Sequence, residues 1–328
     1  MRAAAWNAQG ALEVVERPVP EPRPDWVRVR VHAVGICGTD LHFFGGSFPA
    51  QDGLVPGHEV SGVIDAVGDD VDLALGTPIA VEPLVGCGEC RACRSGQVNR
   101  CARRTLFGVT TRGGMAEYIT VPQRCVWPLP SGVGLDLGVL AEPVAVCVRA
   151  LRRAELRAGA RVAVIGAGSV GLLSIVAARA AGATEVGFSA RHEHQRALAL
   201  ELGGVPIVEG DDDFDVVVET VGGHSGALAE AMACARRGGT VAVLGIYDDL
   251  VPVSAYDLSL AELRLVGSNC YSHVRGEPDF AAALELLAGG DSQVGAVVTH
   301  QFELERVQEA FLTAADKRTG SIKVVVRP

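Results

Sequence analysis

Cys87, Cys90, Cys93 and Cys101 stand within fifteen residues, in a loop otherwise rich in Gly, Arg and Ser, at a spacing suited to holding a metal. Thiols in so polar a stretch make poor core residues. A Cys-only tetrahedral site closes the shell of a zinc ion, which signals a structural role rather than a catalytic one. An iron–sulfur cluster is the rival, because the run begins with ferredoxin-like spacing. Its fourth Cys, however, comes only after seven intervening residues and no Pro follows it. Plain free thiols are the bland reading of the same residues.

A second candidate set is Cys37-Gly-Thr39-Asp40-Leu-His42, Gly57-His58-Glu59 and Glu142-Pro143. Mixed thiolate, imidazole and carboxylate ligands with one position left open are what a catalytic zinc requires, since that position must admit water or a substrate oxygen. Each piece alone is ordinary. A His beside a Glu is usually a surface or core pair, and a buried Cys is usually a small hydrophobe.

The third signal is Gly166-Ala-Gly168-Ser169-Val170-Gly171. In a chain with 40 glycines a bare G-x-G-x-x-G means little. Here it follows the apolar strand Arg161–Ile165 and opens a helical stretch, Leu172 to Ala181. That context allows the tight turn, the close backbone approach to a pyrophosphate and the close packing of helix on strand that dinucleotide binding needs.

The elements that must carry these residues fall into two kinds. Residues 1 to about 145 read as β-rich: Val27–Val31 alternates as a half-buried strand, Val60–Val67 is a second, and Gly and Pro punctuate at close intervals. From Arg161 onward, apolar strands at Glu185–Ser189, Asp215–Glu219 and Thr240–Leu244 alternate with helical stretches, the pattern of a parallel α/β sheet. Phe280–Leu287 reads as a helix and Ser321–Val326 as a closing strand.

Composition sets the class. With 328 residues the chain suits two domains, and 48% hydrophobic against 21% charged residues is ordinary for a globular protein. A net charge of −10 argues against nucleic acid as a partner; the basic run Arg91–Arg104 around the cysteines reads as a solvated surface. No apolar run reaches the length of a membrane span, and the N-terminus lacks the apolar core of a signal peptide, so a cytoplasmic protein is expected. Nine cysteines without an export signal favour metal ligands and reduced thiols over disulfides.

Together, Cys37–His42, Gly57-His-Glu-Val-Ser-Gly62, the four-Cys segment, Gly113-Gly-Met-Ala-Glu-Tyr118, Ala141-Glu-Pro143 and the Gly166 turn make the chain resemble the zinc-dependent medium-chain alcohol dehydrogenases, in the sorbitol, butanediol and threonine dehydrogenase branch. The resemblance implies an α/β protein with a GroES-like β-rich catalytic domain at 1–145, bearing a structural zinc lobe at about 84–104. A Rossmann doubly wound parallel sheet at 146–270 follows, and the chain returns to the catalytic domain at 271–328.

It further implies two zinc ions per chain: a structural one on Cys87, Cys90, Cys93 and Cys101, and a catalytic one on Cys37, His58 and Glu59. Glu142 would ligate the latter directly or through water. Asp40 would orient the imidazole of His58. Thr39 would accept the substrate proton and His42 would pass it to solvent, while hydride moves between a secondary alcohol or its ketone and the nicotinamide. Homodimers or homotetramers are implied, joined at Rossmann sheet edges, for which the strands near Val241 and Val266 are candidates.

Cofactor choice is legible in the residues. An acid at the end of the second Rossmann strand would bind the ribose 2′-hydroxyl of NAD, but the chain has Ser189-Ala190-Arg191 there, with Arg196 one turn on. A missing acid beside a guanidinium suits a 2′-phosphate, so NADP is expected ahead of NAD. An NAD-dependent polyol or butanediol dehydrogenase is the runner-up. At Ser268-Asn269-Cys270-Tyr271, Cys270 stands where sorbitol-type enzymes usually carry Arg, which weakens a long-chain polyol as substrate.

Overall fold

The computed structural model describes residues 1–274, 276–289 and 293–328, and the chain divides into two compact units. The first comprises Met1–Glu142, Ala283–Gly290 and Val298–Pro328. At its centre is a seven-stranded sheet in the order Val298–Glu303, Lys323–Arg327, Trp26–Gly35, Glu59–Val67, Pro78–Val81, Val126–Pro128, with Tyr118–Pro122 also paired to Trp26–Gly35. Trp26–Gly35 alternates inward Val27, Val29 and Val31 with outward Arg28 and Arg30, the period-two signature that ties a strand to one core face. Trp6, Phe311 and Val326 fill the same core.

The second unit comprises Pro143–Ala282 and Asp291–Val297. Its sheet is parallel throughout, in the spatial order Val205–Pro206, Glu185–Ser189, Arg161–Ile165, Phe214–Glu219, Ala235–Val243, Arg264–Gly267. In chain order that is 3-2-1-4-5-6, the doubly wound arrangement whose direction reverses between the first and fourth strands. The expected α/β class, with a GroES-like part and a Rossmann part, is the fold observed.

Two expectations need adjustment. The chain rejoins the first unit at Ala283 rather than at 271. Asp279, fully buried, holds the intervening segment to the second unit: it accepts hydrogen bonds from the Ser272 N–H at 2.8 Å and Arg152 at 2.8 Å, and pairs with Arg149 at 3.5 Å. The strand near Val241 is not a sheet edge, because Ala235–Val243 lies between two others; of the two candidates only Arg264–Gly267, the strand of Val266, is at the edge. Helices Glu193–Glu201 and Ala227–Cys234 separate the three expected strands, but residues 207–213, which lead from the short additional strand Val205–Pro206 to Phe214–Glu219, cross the sheet with no helix. An open cavity of about 440 Å³ lies beside that crossover, lined among others by Ser189, Ile207, Val208, Glu230 and Cys234.

Candidate active site and metal centres

Cys37 caps the short helix Gly38–Phe44, and its backbone N–H donates to Asp40 Oδ2 at 2.9 Å. That bond fixes the start of the helix. His58 and Glu59 lie at the head of the strand Glu59–Val67, which pairs with Trp26–Gly35 in a register that sets Glu59 opposite Gly35. Ligand atoms of Cys37, His58 and Glu59 all lie within 4.8 Å of one another. Glu142, in the first turn of helix Ala141–Arg153, is buried near them but outside that set.

The surroundings explain why these side chains tolerate burial. Lys323, itself 1% exposed, donates to Glu59 Oε1 at 2.6 Å and to the carbonyl of Ile36 at 3.1 Å. A buried carboxylate so paired costs far less than an isolated one. Glu59 Oε2 remains out of water without a hydrogen bond, as do His58 Nδ1 and Asp40 Oδ1, which face each other at 3.8 Å. A Cβ at residue 35 would lie 1.9 Å from Glu59 Oε2, so only Gly35 leaves that oxygen its place. Buried acceptors without donors, converging with a thiol and an imidazole, fit a divalent cation of borderline softness.

Burial pushes the carboxyls of Asp40 and Glu142 up, the latter to about 7. Burial works against a charged His58, yet Asp40 and Cys37 outweigh it and hold the imidazole well above its usual range. Lys323 is raised too: burial opposes its charge, and Glu59 more than offsets it. Thr39 is half-buried, with its hydroxyl 3.9 Å from Cys37 Sγ, and the ring of His42 stacks on Phe48 at 5.0 Å.

Ligand atoms of the four lobe cysteines also lie within 4.8 Å of one another, and none is in a disulfide. Cys90 caps the one-turn helix Arg91–Arg94 and accepts from the Cys93 N–H at 3.5 Å. Backbone N–H groups of Glu89 and Cys90 lower the Cys87 thiol to about 6, whereas burial pushes Cys93 up to about 11. Four thiols held around one point, two of them, Cys87 and Cys101, already inclined to ionise through backbone hydrogen bonds, suit a zinc ion.

In the second unit, Gly166 adopts φ +94° at the end of the first strand, and its N–H donates to Ser189 Oγ at 3.2 Å. A Cβ on Gly171 would meet the Gly166 carbonyl at 1.9 Å, while one on Gly168 would meet nothing within 4 Å. The first contact is helix-on-strand packing; the second is the room a pyrophosphate would use. Gly168 caps helix Ser169–Ala180, whose Val170 carbonyl accepts from Ser174. Ala190 is half-buried, and Arg191 and Arg196 are exposed.

Sequence reasoning did not single out Lys323 or Gly35. A lysine inside the apolar run Ile322–Val326 was the available signal for the first.

Residues 23–131 match the alcohol dehydrogenase GroES-like domain and residues 169–289 the zinc-binding dehydrogenase domain. The chain is 31% identical to sorbitol dehydrogenase of Bacillus subtilis, covering 100% of this chain and 97% of that one. It is also 31% identical to L-idonate 5-dehydrogenase of Vitis vinifera, over 96% and 91% of the respective lengths. A zinc-binding dehydrogenase of Sinorhizobium meliloti, solved bound to NADP, superposes with a TM-score of 0.90 at 31% identity, over 100% of this chain and 99% of the other. The geometry and these likenesses agree: the chain belongs to the zinc-dependent medium-chain alcohol dehydrogenases, nicotinamide-dependent enzymes acting on CH–OH groups.

Proposed function

We propose that this enzyme interconverts a secondary alcohol and its ketone with NADP(H), using one catalytic and one structural zinc per chain. The observation that carries the reading is the cluster of half-buried Cys37 with buried His58 and Glu59, with ligand atoms within 4.8 Å and acceptors lacking donors. Zinc held there supplies Lewis-acid polarisation of the substrate oxygen. The chain's own residues do the rest. Asp40 orients His58, Lys323 holds Glu59, and Glu142 completes the shell directly or through water. Thr39 takes the substrate's hydroxyl proton, and His42 passes it to solvent.

Arg191 and Arg196, with Ala190 in place of an acid, support the choice of NADP over NAD. Exposed Leu250 and Tyr256, and the open edge strand Arg264–Gly267, support a homodimer or homotetramer. The substrate is a diol, a polyol or a cyclic alcohol, with Cys270 arguing against the longest polyols.

The test is an NADPH-consumption screen over a panel of ketones, run beside Cys37→Ser and His58→Ala. Each variant should lose roughly three decades or more of turnover and still bind cofactor. Near-normal turnover in either one would overturn the catalytic assignment.

A further inference from the structure

Glu219 ends the strand Phe214–Glu219, at the point where the order of the parallel sheet reverses, and it is fully buried. Its Oε1 accepts hydrogen bonds from the N–H groups of Val221 at 2.6 Å and Gly222 at 2.9 Å. Its backbone carbonyl accepts from Leu244 at 2.9 Å and Gly245 at 3.2 Å. One residue thus gathers the loops that leave two adjacent strands, 220–223 and 244–246.

The loops leave no slack. A Cβ on Gly245 would lie 2.5 Å from Glu219 Oε2 and 2.3 Å from the Gly222 nitrogen, and one on Gly222 would lie 2.4 Å from the Ile246 carbonyl oxygen. Gly223 N–H donates to that same carbonyl at 2.7 Å. The glycine turn joins the cluster: Thr220 Oγ1 donates to Gly166 O at 3.1 Å, and a Cβ on Gly166 would lie 2.5 Å from Val221 Cγ2. Neither Glu219 Oε2 nor the hydroxyl of Tyr247 makes a hydrogen bond of ordinary geometry, and burial together with the charge of Glu219 pushes that phenol up. The outward products of this knot are two apolar side chains, Val221 at 49% and Ile246 at 45% exposure, held at the carboxyl ends of the strands, where ligands of doubly wound sheets dock.

We propose that Glu219 is a positioning residue for the nicotinamide–ribose half of the cofactor, fixing loops 220–223 and 244–246 so that their backbone groups and the Val221 and Ile246 side chains meet it. The adenine half is left to the end of the second strand, at Ser189 to Arg191. The inference holds whichever nicotinamide cofactor the enzyme prefers.

The experiment measures dissociation constants of the zinc-loaded enzyme for NADPH, NADH and the adenine-half fragments AMP and adenosine 2′,5′-bisphosphate, with the thermal midpoint of each variant alongside. Glu219→Ala removes the acceptor of two backbone donors and should weaken both whole cofactors by roughly tenfold or more, while changing the fragments by less than about twofold. Glu219→Gln keeps one oxygen acceptor and should restore most of the loss. If the alanine variant does not fold, Glu219→Asp, one methylene shorter, withdraws the carboxylate from the same donors and should show the same split. Whole cofactors bound as in the wild type, or fragments weakened as much as whole cofactors, would overturn the proposal and leave Glu219 a purely structural residue.

Discussion

At the residue scale, the proposed choice of NADP over NAD turns on charge at the end of the second parallel strand. If Arg191 pairs with the 2′-phosphate, Arg191→Ala should weaken NADPH by about 1.5–3 kcal/mol and leave NADH almost unchanged. Adding Ala190→Asp should invert the preference, since a carboxylate accepts from the ribose diol and repels the phosphate. Steady-state kinetics with both cofactors checks this, and equal loss of both would reduce Arg191 to a surface residue. Ser189 constrains the region further, because its hydroxyl already accepts from the Gly166 N–H and so ties the strand end to the glycine turn. That Arg191 and Arg196 follow the second parallel strand was readable, because short spacing from Gly166 fixes their place. Lys323 was not, since it meets Glu59 across 264 residues of sequence and only the sheet brings them together.

Among the elements, the four-cysteine lobe has no extended strand and no helix longer than one turn to sustain it. Its order therefore rests on the thiols and what they bind. Cys93→Ser should lower the thermal midpoint by at least about 5 °C and release one zinc per chain, with turnover per folded molecule largely kept. Calorimetry beside metal analysis decides; unchanged melting with two zinc retained would refute the lobe as a metal site. The strands Arg161–Ile165 and Glu185–Ser189 were legible to the residue, because strands buried on both faces read as unbroken apolar runs. The strand Val205–Pro206 escaped notice: two residues, one of them Pro, carry no periodicity.

For the molecule as a whole, the buried acids and imidazole make stability depend jointly on pH and metal. Asp40, His58 and Glu142 all titrate above their unfolded values, Glu142 at about 7 against 4.5. The folded state therefore holds these protons more tightly, and the stability they supply is complete at low pH and lost as pH rises; for Glu142 the window is 4.5 to about 7. Metal binding needs the deprotonated forms, so zinc should restore in that window what deprotonation removes. Thermal midpoints with zinc and with chelator, compared from about pH 5 to about pH 8, should diverge as pH rises, and His58→Ala should narrow the divergence. A gap independent of pH would show that the cluster holds no metal. No described helix is long and apolar enough to cross a membrane.

The helix-free crossover at 207–213 bears on how such a chain can change over generations. It spans three strand spacings, about 14 Å, with chain to spare at about 3.3 Å per residue. Doubling a loop costs only about 0.6 kcal/mol in closure entropy. Descendants could therefore gain or lose a whole helix here in one insertion or deletion, since Val208 already faces solvent and Cys37, His58 and Glu59 belong to the other unit. On that flank of the sheet, length is a freely heritable trait.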